Sequence, residues 1–524
     1  MWEGVTVVEI VGGREGLWGS RNANLIPLGG LIELRNATLE DQTWRKGGGA
    51  DPIGSTLGAT EQIQQATDYW PTTGQQRTVV WTDAGKLYKD DGNGGGWTTL
   101  LTGLTVAGAV PFLLKAAAEQ VGNNRKCLYF DGLNAPLVLD GDGATFQTFA
   151  AAGGGLSADW TGTNQPSCAV VHQGYCWAFG NKNSPHRAYR STLTSHITFN
   201  SSPYSLPVFS GEGERLVAGL SYKGVLLLWK YPEGVYAIDT SDPSDTNWRV
   251  VKVGQPGAAG PRNVVQIEDD VMWVAPDGSW HLISATTATG SVRAEDLTAR
   301  KLGSYFRDQV NLARLDTSQL DYYSHKQEVI LACHASGQTA KNRRIHMDLN
   351  KRSEIGERWI WWDVDRNESL FMRKKNEIHI PAFGDEQGRI WEADKVGRSR
   401  NGAGYAFSWF LKPSDYSEVI PGWQGRKKNL RFLQIEYDAR SAATHSVDVY
   451  ADGNLRQTID FSLTGSGATL PAVLPFTLGT NTLLTTARRR LRGQGVRFAF
   501  RGRSATNDED VSISRVLVGL ELGE

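Results

Sequence analysis

The stretch Cys127-Leu128-Tyr129-Phe130-Asp131-Gly132-Leu133-Asn134-Ala135-Pro136-Leu137-Val138-Leu139-Asp140-Gly141-Asp142-Gly143-Ala144-Thr145-Phe146 decides the fold. A four-residue apolar run is followed by an Asp-Gly turn, a second apolar run, another Asp-Gly turn and the start of a third strand. Runs this short, broken by residues that accept positive φ or cap their own turn, are the signature of antiparallel hairpins.

The same unit recurs along the chain. Upstream, Thr78-Val79-Val80-Trp81-Thr82 turns at Asp83-Ala84-Gly85 into Lys86-Leu87-Tyr88-Lys89, and Asp90–Gly96 turns again into Trp97-Thr98-Thr99-Leu100. Downstream it returns as Gly224–Trp229 with Val235–Asp239, as Asp270–Ala275 with Trp280–Ser284, and as Glu377–Pro381 with Arg389–Glu392. Degenerate hairpins repeated every few tens of residues mark radial β architectures, chiefly propellers. At roughly 40–50 residues per blade, the interval 46–400 holds about seven or eight. The predicted fold class is therefore all-β, with three short helical inserts at Glu61–Tyr69, Phe112–Val121 and Ala294–Arg307.

The texture changes on either side of this repeat. After about residue 400 the alternating strands lengthen, at Leu430–Tyr437, Ser446–Tyr450, Leu455–Phe461, Gly495–Arg501 and Val511–Leu520, with a hairpin turn at Asp452-Gly453-Asn454. That pattern predicts an antiparallel sandwich or jelly-roll over 401–524. Residues 1–45 read as an extended arm, punctuated by Pro27 and Gly29-Gly30 and ending in a short strand. Its apolar residues must be buried on this chain or on a neighbour.

Composition bounds the partners. The 524 residues carry 55 Lys+Arg against 56 Asp+Glu, a formal net charge of -1, so the chain as a whole offers no field for nucleic acid or an acidic membrane. No apolar run approaches membrane-spanning length, and Met1-Trp2-Glu3-Gly4 lacks the pattern of a secretory signal. Cys127, Cys168, Cys176 and Cys333 form no CxxC pair and read as buried free thiols of a protein assembled in a reducing cytoplasm.

Candidate chemistry is sparse. Asp140-Gly141-Asp142-Gly143 offers carboxylates to calcium but lacks the further ligands and closing Glu of a calcium loop, so a hairpin turn is the stronger reading. His325, His334, His346 and His379 sit on or beside predicted strands without metal-ligand spacing. Gly211-Glu212-Gly213 lacks a third glycine, and no Gly-Lys-Ser/Thr phosphate cradle occurs. The aromatic run Trp359-Ile360-Trp361-Trp362 fits packing between blades, with carbohydrate stacking as the alternative. The stretch 485–503 holds Arg488, Arg489, Arg490, Arg492, Arg497, Arg501 and Arg503 and no acidic residue. Asp90–Trp97 resembles the aspartate box of sialidase-type propellers, a turn that shapes a hairpin away from the active site.

The order of several features is similar to that of one family. The arm Asn22–Asn36 with its Pro-Leu-Gly-Gly turn precedes the basic Trp44-Arg45-Lys46-Gly47; Asn183–Ser191 follows. Next come Gly211–Asp239 with its Leu-Leu-Leu-Trp-Lys core, Gly260-Pro261-Arg262, Asp269-Asp270-Val271 and Ala275-Pro276-Asp277-Gly278. Over about residues 15–290 this resembles the β-propeller tail-nozzle, or tail-tubular, proteins of short-tailed bacteriophages. The resemblance implies a virion structural protein with no enzymatic turnover and no cofactor or metal. It implies a ring, a hexamer in that family, set below the portal and adaptor (head-to-tail connector) protein, with tail fibre or tailspike and needle or plug proteins as further neighbours. DNA would meet it only in transit during genome ejection. In such a conduit Arg488, Arg489, Arg490 and Arg492 would pair with acidic faces of a neighbouring subunit or ring. Asp508, Glu509 and Asp510 are the reciprocal partners expected. Strong phosphate binding would retard passing DNA, so DNA contact is the weaker reading. A glycan-binding or glycan-degrading tail protein is the alternative function.

Overall fold

The computed structural model describes residues 5–523 except 12–15, 20–25, 41–42, 58–60, 72–75, 93–94, 117–124, 201–203, 210–213, 233, 243, 285–295, 299–301, 303–307, 350–358, 365–368, 376–377, 396–404, 406, 440–442, 464–484 and 505–510. The chain divides into two compact units, one formed by 52–344 and 365–392, the other by 1–51, 345–364 and 393–524.

The first unit is a β-propeller. Among the described residues, seven antiparallel blades follow one another in chain order, six as separate sheets and the sixth as the first strands of a nine-stranded sheet; their first strands are Ile63–Tyr69, Phe112–Ala116, Cys168–His172, Arg215–Tyr222, Val264–Ile267, Gln319–Tyr323 and Ser369–Lys375. Each of these strands lies beside the next, and Ser369–Lys375 lies beside Ile63–Tyr69, so the circle closes. Seven blades fall within the expected range. The hairpins quoted above supply the second and third strands of the first, second, fourth, fifth and seventh blades.

Consecutive apolar residues point to opposite faces of a strand, and both faces are covered here. In Lys126–Phe130, Cys127 and Tyr129 pack with Val79 and Trp81 of the first blade, while Leu128 and Phe130 pack with Ala169 and Cys176 of the third. The pattern repeats between the third and fourth blades at Trp177 and Leu228, and between the fourth and fifth at Trp229 and Trp273. Unbroken apolar runs are thus the direct consequence of blades stacked on blades. All four cysteines are buried and free.

Closure has its own chemistry. Ile63, Ala66, Val80 and Tyr88 of the first blade share a cluster with Phe371, Ala382 and Ile390 of the last. The amide of Leu57 donates to Gly388 O (2.8 Å) and that of Ile63 to Asp385 O (3.0 Å). The Asp385 carboxylate organises this hairpin. Its Oδ1 accepts the amides of Gln387 (2.9 Å) and Arg389 (2.8 Å), and its Oδ2 accepts the Trp391 indole N–H (2.7 Å).

Two expected helices are strands. Residues 61–69 and 112–121 contribute the inner strands Ile63–Tyr69 and Phe112–Ala116. Polar positions that suggested a helical surface are instead buried and bonded: the Asp68 carboxylate accepts the Gln76 side chain (2.8 Å) and the Lys374 amide (2.6 Å). The third, Ala294–Arg307, falls largely outside the described residues.

The second unit is a β-sandwich. One sheet runs Ala37–Glu40, Thr43–Lys46, Val511–Leu522, Lys428–Ala439, Thr485–Gly495, with Thr6–Val11 also paired to Val511–Leu522. The other includes Trp359–Val364, Leu31–Arg35, Phe407–Leu411, Phe498–Ser504, Ala443–Ala451 and Asn454–Leu463. Both inner faces meet in one core containing Val8, Leu34, Trp44, Trp409, Phe461 and Val518. Trp44 stacks on Trp409 (5.1 Å), whose indole donates to Nε2 of the buried His445 (3.0 Å).

The boundaries therefore differ from those expected. The first 45 residues are not an extended arm set apart: Thr6–Val11 pairs antiparallel with the last strand, from Thr6↔Leu520 to Val11↔Arg515, and Leu31–Arg35 pairs with Phe407–Leu411. Their apolar side chains find their core in the same chain. Trp44-Arg45-Lys46 is likewise no surface patch, because Trp44 and Lys46 are fully buried. The strand Trp359–Val364 belongs to the second unit and stands beside Leu31–Arg35 in its sheet; the side chains of its aromatic run, for which packing between blades was expected, lie outside the described ones.

Candidate functional site

Two features with chemical potential emerge, one on each unit. The arginine-rich stretch forms a strand, Thr485–Gly495, at the end of the strand order of its sheet, paired antiparallel to Lys428–Ala439. Arg488, Arg489, Arg490 and Arg492 are all exposed. Arg488 is anchored, with its guanidinium carbon 3.5 Å from the Phe432 ring centre, a cation–π arrangement that fixes the stem and leaves charge at the surface. Asp508, Glu509 and Asp510, the expected reciprocal partners, lie outside the described residues. Arg501 and Arg503, from the same run, are committed internally: Arg501 pairs with Glu33 (2.9 Å) and Arg503 with Asp448 (3.4 Å).

The second feature is a pocket of about 210 Å³ on the propeller, lined by residues from several blades. Gln64 comes from the inner strand of the first blade, Arg262 from the turn entering the fifth, and Ser318 and Gln319 from the entry to the sixth. Lys341 follows the second strand of the sixth blade, and Arg314 sits in the 3-10 segment Leu312–Thr317. Blade entries collect at one end of the inner strands, which is why residues distant in sequence converge.

Its electrostatics are unbalanced. Lys341 is 4% exposed, yet its ammonium donates to a neutral acceptor, Gln64 O at 2.9 Å, which also accepts from Gln319 Nε2 (3.0 Å). Burial, with the nearby Arg262 and Arg314 charges, pushes Lys341 down to about 7. Burial lowers Arg262 as well. Among the described residues, Arg262 Nη1 and the Ser318 hydroxyl are buried with no hydrogen-bond partner. Asp316 and Asp83 also line the pocket, but Asp83 Oδ1 is occupied by the Gln62 amide (2.9 Å). Beside the pocket, His334 bonds Thr317 Oγ1 (2.8 Å) and is driven down to about 3 by burial and by the Lys341 and Arg314 charges. It is a neutral imidazole.

The other sequence candidates separate. His325 and His379 are exposed, whereas His334 and His346 are buried in different units. No group of three or more His, Cys, Asp or Glu side chains able to hold a metal occurs among the described residues. Asp142 is engaged by Arg77 (2.9 Å) and Lys89 (2.7 Å), and the Arg77 hydrogen bond heads the causes that bring it down to about 2. It works as an ion-paired turn carboxylate. At Asp90–Trp97, Asp91 Oδ2 accepts the Gly96 amide (2.9 Å) and the Trp97 indole donates to Ser55 O (2.8 Å), a fold-shaping role. Gly211-Glu212-Gly213 lies outside the described residues.

Sequence reasoning missed the pocket. Arg262 stands in a quoted motif, but Arg314, Ser318 and Lys341 lie in stretches with neither periodicity nor a known spacing, and the packing of the fifth blade's entry against the sixth brings them together.

Comparison with known proteins gives fold-level likeness alone. No protein-family model matches the chain, and no curated protein does. Among solved structures, BamB from Moraxella catarrhalis aligns with TM-score 0.38 and 10% identity over 67% of this chain and 98% of its own. YCF48 bound to D1 peptide gives 0.38 and 11% over 65% and 94%. An exo-β-1,3-galactanase from Phanerochaete chrysosporium gives 0.29 and 9% over 98% and 100%. At such scores these neighbours carry no functional inference. No helix among the described residues is long and apolar enough to cross a membrane. The chain is an all-β protein with a β-propeller.

Proposed function

We propose that this chain is a structural subunit of a phage tail, one copy in a ring that forms a conduit for DNA below the portal and adaptor. The reading rests first on the ordered motif resemblance between residues 15 and 290. The structural observation that supports it best is how the propeller is wired into the sandwich. The chain passes between the units four times, at 51/52, 344/345, 364/365 and 392/393. Three of these crossings fall inside continuous strands, Gly49–Ile53, Arg343–Asp348 and Ile390–Lys395. A single flexible linker is the ordinary way to join independent modules. Four covalent connections suit a part that carries load from neighbour to neighbour.

Each unit also has a core that completes itself within one chain, leaving surface strands free for contacts between copies. A side-to-side contact between different faces, repeated with a closing rotation, makes a ring. The exposed arginine strand would meet an acidic face of the adjacent subunit or ring. Its charges govern association rate and register more than affinity.

Negative-stain microscopy of the purified full-length protein tests this directly. Rings with a central hole are expected, and Arg489→Glu with Arg492→Glu should disperse them while leaving the β-rich spectrum of the monomer intact. Isolated globules at every concentration, or release of reducing sugar from bacterial surface glycans, would overturn the proposal.

A further inference from the structure

Folding gathers basic side chains at the propeller pocket without pairing them with carboxylates. Arg262, Arg314 and Lys341 come together there, and among the described residues none of the three makes an ion pair. A buried charge is ordinarily paired or bonded. Here the Lys341 ammonium meets only a carbonyl, and two buried donors, Arg262 Nη1 and Ser318 Oγ, have nothing to donate to. Buried donors left unbonded cost on the order of 1–3 kcal/mol each, and their convergence on one opening is what a site prepared for an acceptor looks like. Gln319, by contrast, is engaged at both ends: its Nε2 donates to Gln64 O and its Oε1 accepts the Leu370 amide (2.5 Å). The unspent groups are the cationic ones and the hydroxyl.

We propose that this pocket binds a small oxyanion, a molecule bearing a carboxylate or a phosphate, held by Arg262, Arg314, Lys341 and Ser318. The guanidinium groups would supply the planar, charge-assisted hydrogen bonds that such groups take. The pocket of about 210 Å³ has room for inorganic phosphate with its hydration or for a single sugar acid. This inference does not depend on the tail reading, since it concerns only the propeller's own side chains.

A bound anion also changes a proton count. Arg262 and Arg314 push Lys341 toward its neutral form and Asp316 pulls it back. Asp83 and the neutral His334 complete the titratable surroundings. An oxyanion beside Lys341 favours the ammonium, so binding above neutral pH takes up a proton. Water-filled structural pockets and loosely attracted counter-ions leave no such signature.

The experiment is isothermal calorimetry on the full chain at pH 8, in two buffers of different ionisation enthalpy. Inorganic phosphate and glucuronate are the probes, with glucose as the uncharged control. Saturable binding of at least one anion is expected, with proton uptake and no response to glucose; the anion that binds identifies the ligand's head group. Lys341→Met should abolish the proton uptake and weaken binding about tenfold or more, a loss of ~1.4 kcal/mol. Arg314→Ala should weaken it similarly, and because Arg314 is exposed this variant keeps the core intact if Arg262 variants fail to fold. Absence of saturable binding by either anion, or binding that both variants leave unchanged, overturns the proposal.

Discussion

Removing the Asp385 carboxylate should open the propeller at its seam. Asp385 is 1% exposed and accepts three hydrogen bonds, two from turn amides and one from the buried Trp391 indole, while its backbone oxygen takes the Ile63 amide. Asp385→Ala takes the carboxylate acceptor from the buried indole N–H and strands the two amides in part, because the turn itself reaches solvent. With about 1–3 kcal/mol per buried unsatisfied group, the expected cost is roughly 2–4 kcal/mol. Asp385→Asn is informative for a different reason. An amide has one accepting and one donating end, so it can serve the turn or the indole, not both, and should cost about half as much. Adding Trp391→Phe, which removes the indole donor, should make the Asn substitution nearly neutral by comparison. The assay is amide hydrogen exchange at Leu57 and over Ile63–Tyr69, which meet the last blade at the seam. Asp385→Ala should accelerate exchange there by roughly 30-fold to several hundred-fold, with smaller effects in the third and fourth blades. Uniform acceleration in all blades, or full additivity of Asp385→Asn with Trp391→Phe, would refute this account of closure.

Three further outcomes follow from the packing and the buried charges. Gly384→Ala places a Cβ 2.2 Å from Ile63 Cγ2 and should destabilise by about 1–3 kcal/mol in urea unfolding, with Ile63→Ala relieving part of the cost. Lys341 sits at about 7 in the folded chain against its ordinary 10.5, so the unfolded state holds more protons between those values and stability rises with pH across that window. Lys341→Met should remove this slope and stabilise the protein below pH 7 by as much as several kcal/mol, read from urea midpoints at pH 6 and pH 9; parallel curves would contradict it. His445, held down to about 3 by burial against an ordinary 6.5, works in the same sense lower on the scale. The sandwich should lose stability as pH falls from 6.5 toward 3, and His445→Gln should flatten that loss in the pH dependence of tryptophan fluorescence unfolding.

The blades legible in the sequence were those whose turns carry a chemical marker. Asp83-Ala84-Gly85 must turn where it does because Gly85 holds φ +68 and a Cβ there would lie 2.3 Å from Leu104 O. The third and sixth blades turn instead at Gln173-Gly174 and near Gln327, with Gln173 at φ 48 and Gln327 at φ 51. A glutamine gives no warning of a left-handed backbone, so those hairpins stayed invisible. The inner strand Ile63–Tyr69 was hidden because Gln65, Thr67 and Asp68 are buried polar residues, which imitate a helix surface when read by hydropathy. In the sandwich, Thr485–Gly495 was masked by its own arginines, whose exposed face gives no apolar alternation. The destination of Val8, Ile10 and Leu34 was undetermined for a different reason: pairing residue 6 with residue 520 is a long-range choice that leaves no local trace. The pocket belongs to the same class, since Arg262 meets Arg314 and Lys341 only when the fifth blade packs on the sixth.

The most direct test of the structural reading is native mass spectrometry of the purified full-length chain, with dilution. The account predicts one closed oligomer of fixed stoichiometry that collapses to monomer without a ladder of intermediates, and that loses its stability when the arginine strand is reversed in charge. A monomer at all concentrations, or an open-ended series of sizes unaffected by Arg489→Glu with Arg492→Glu, would contradict it.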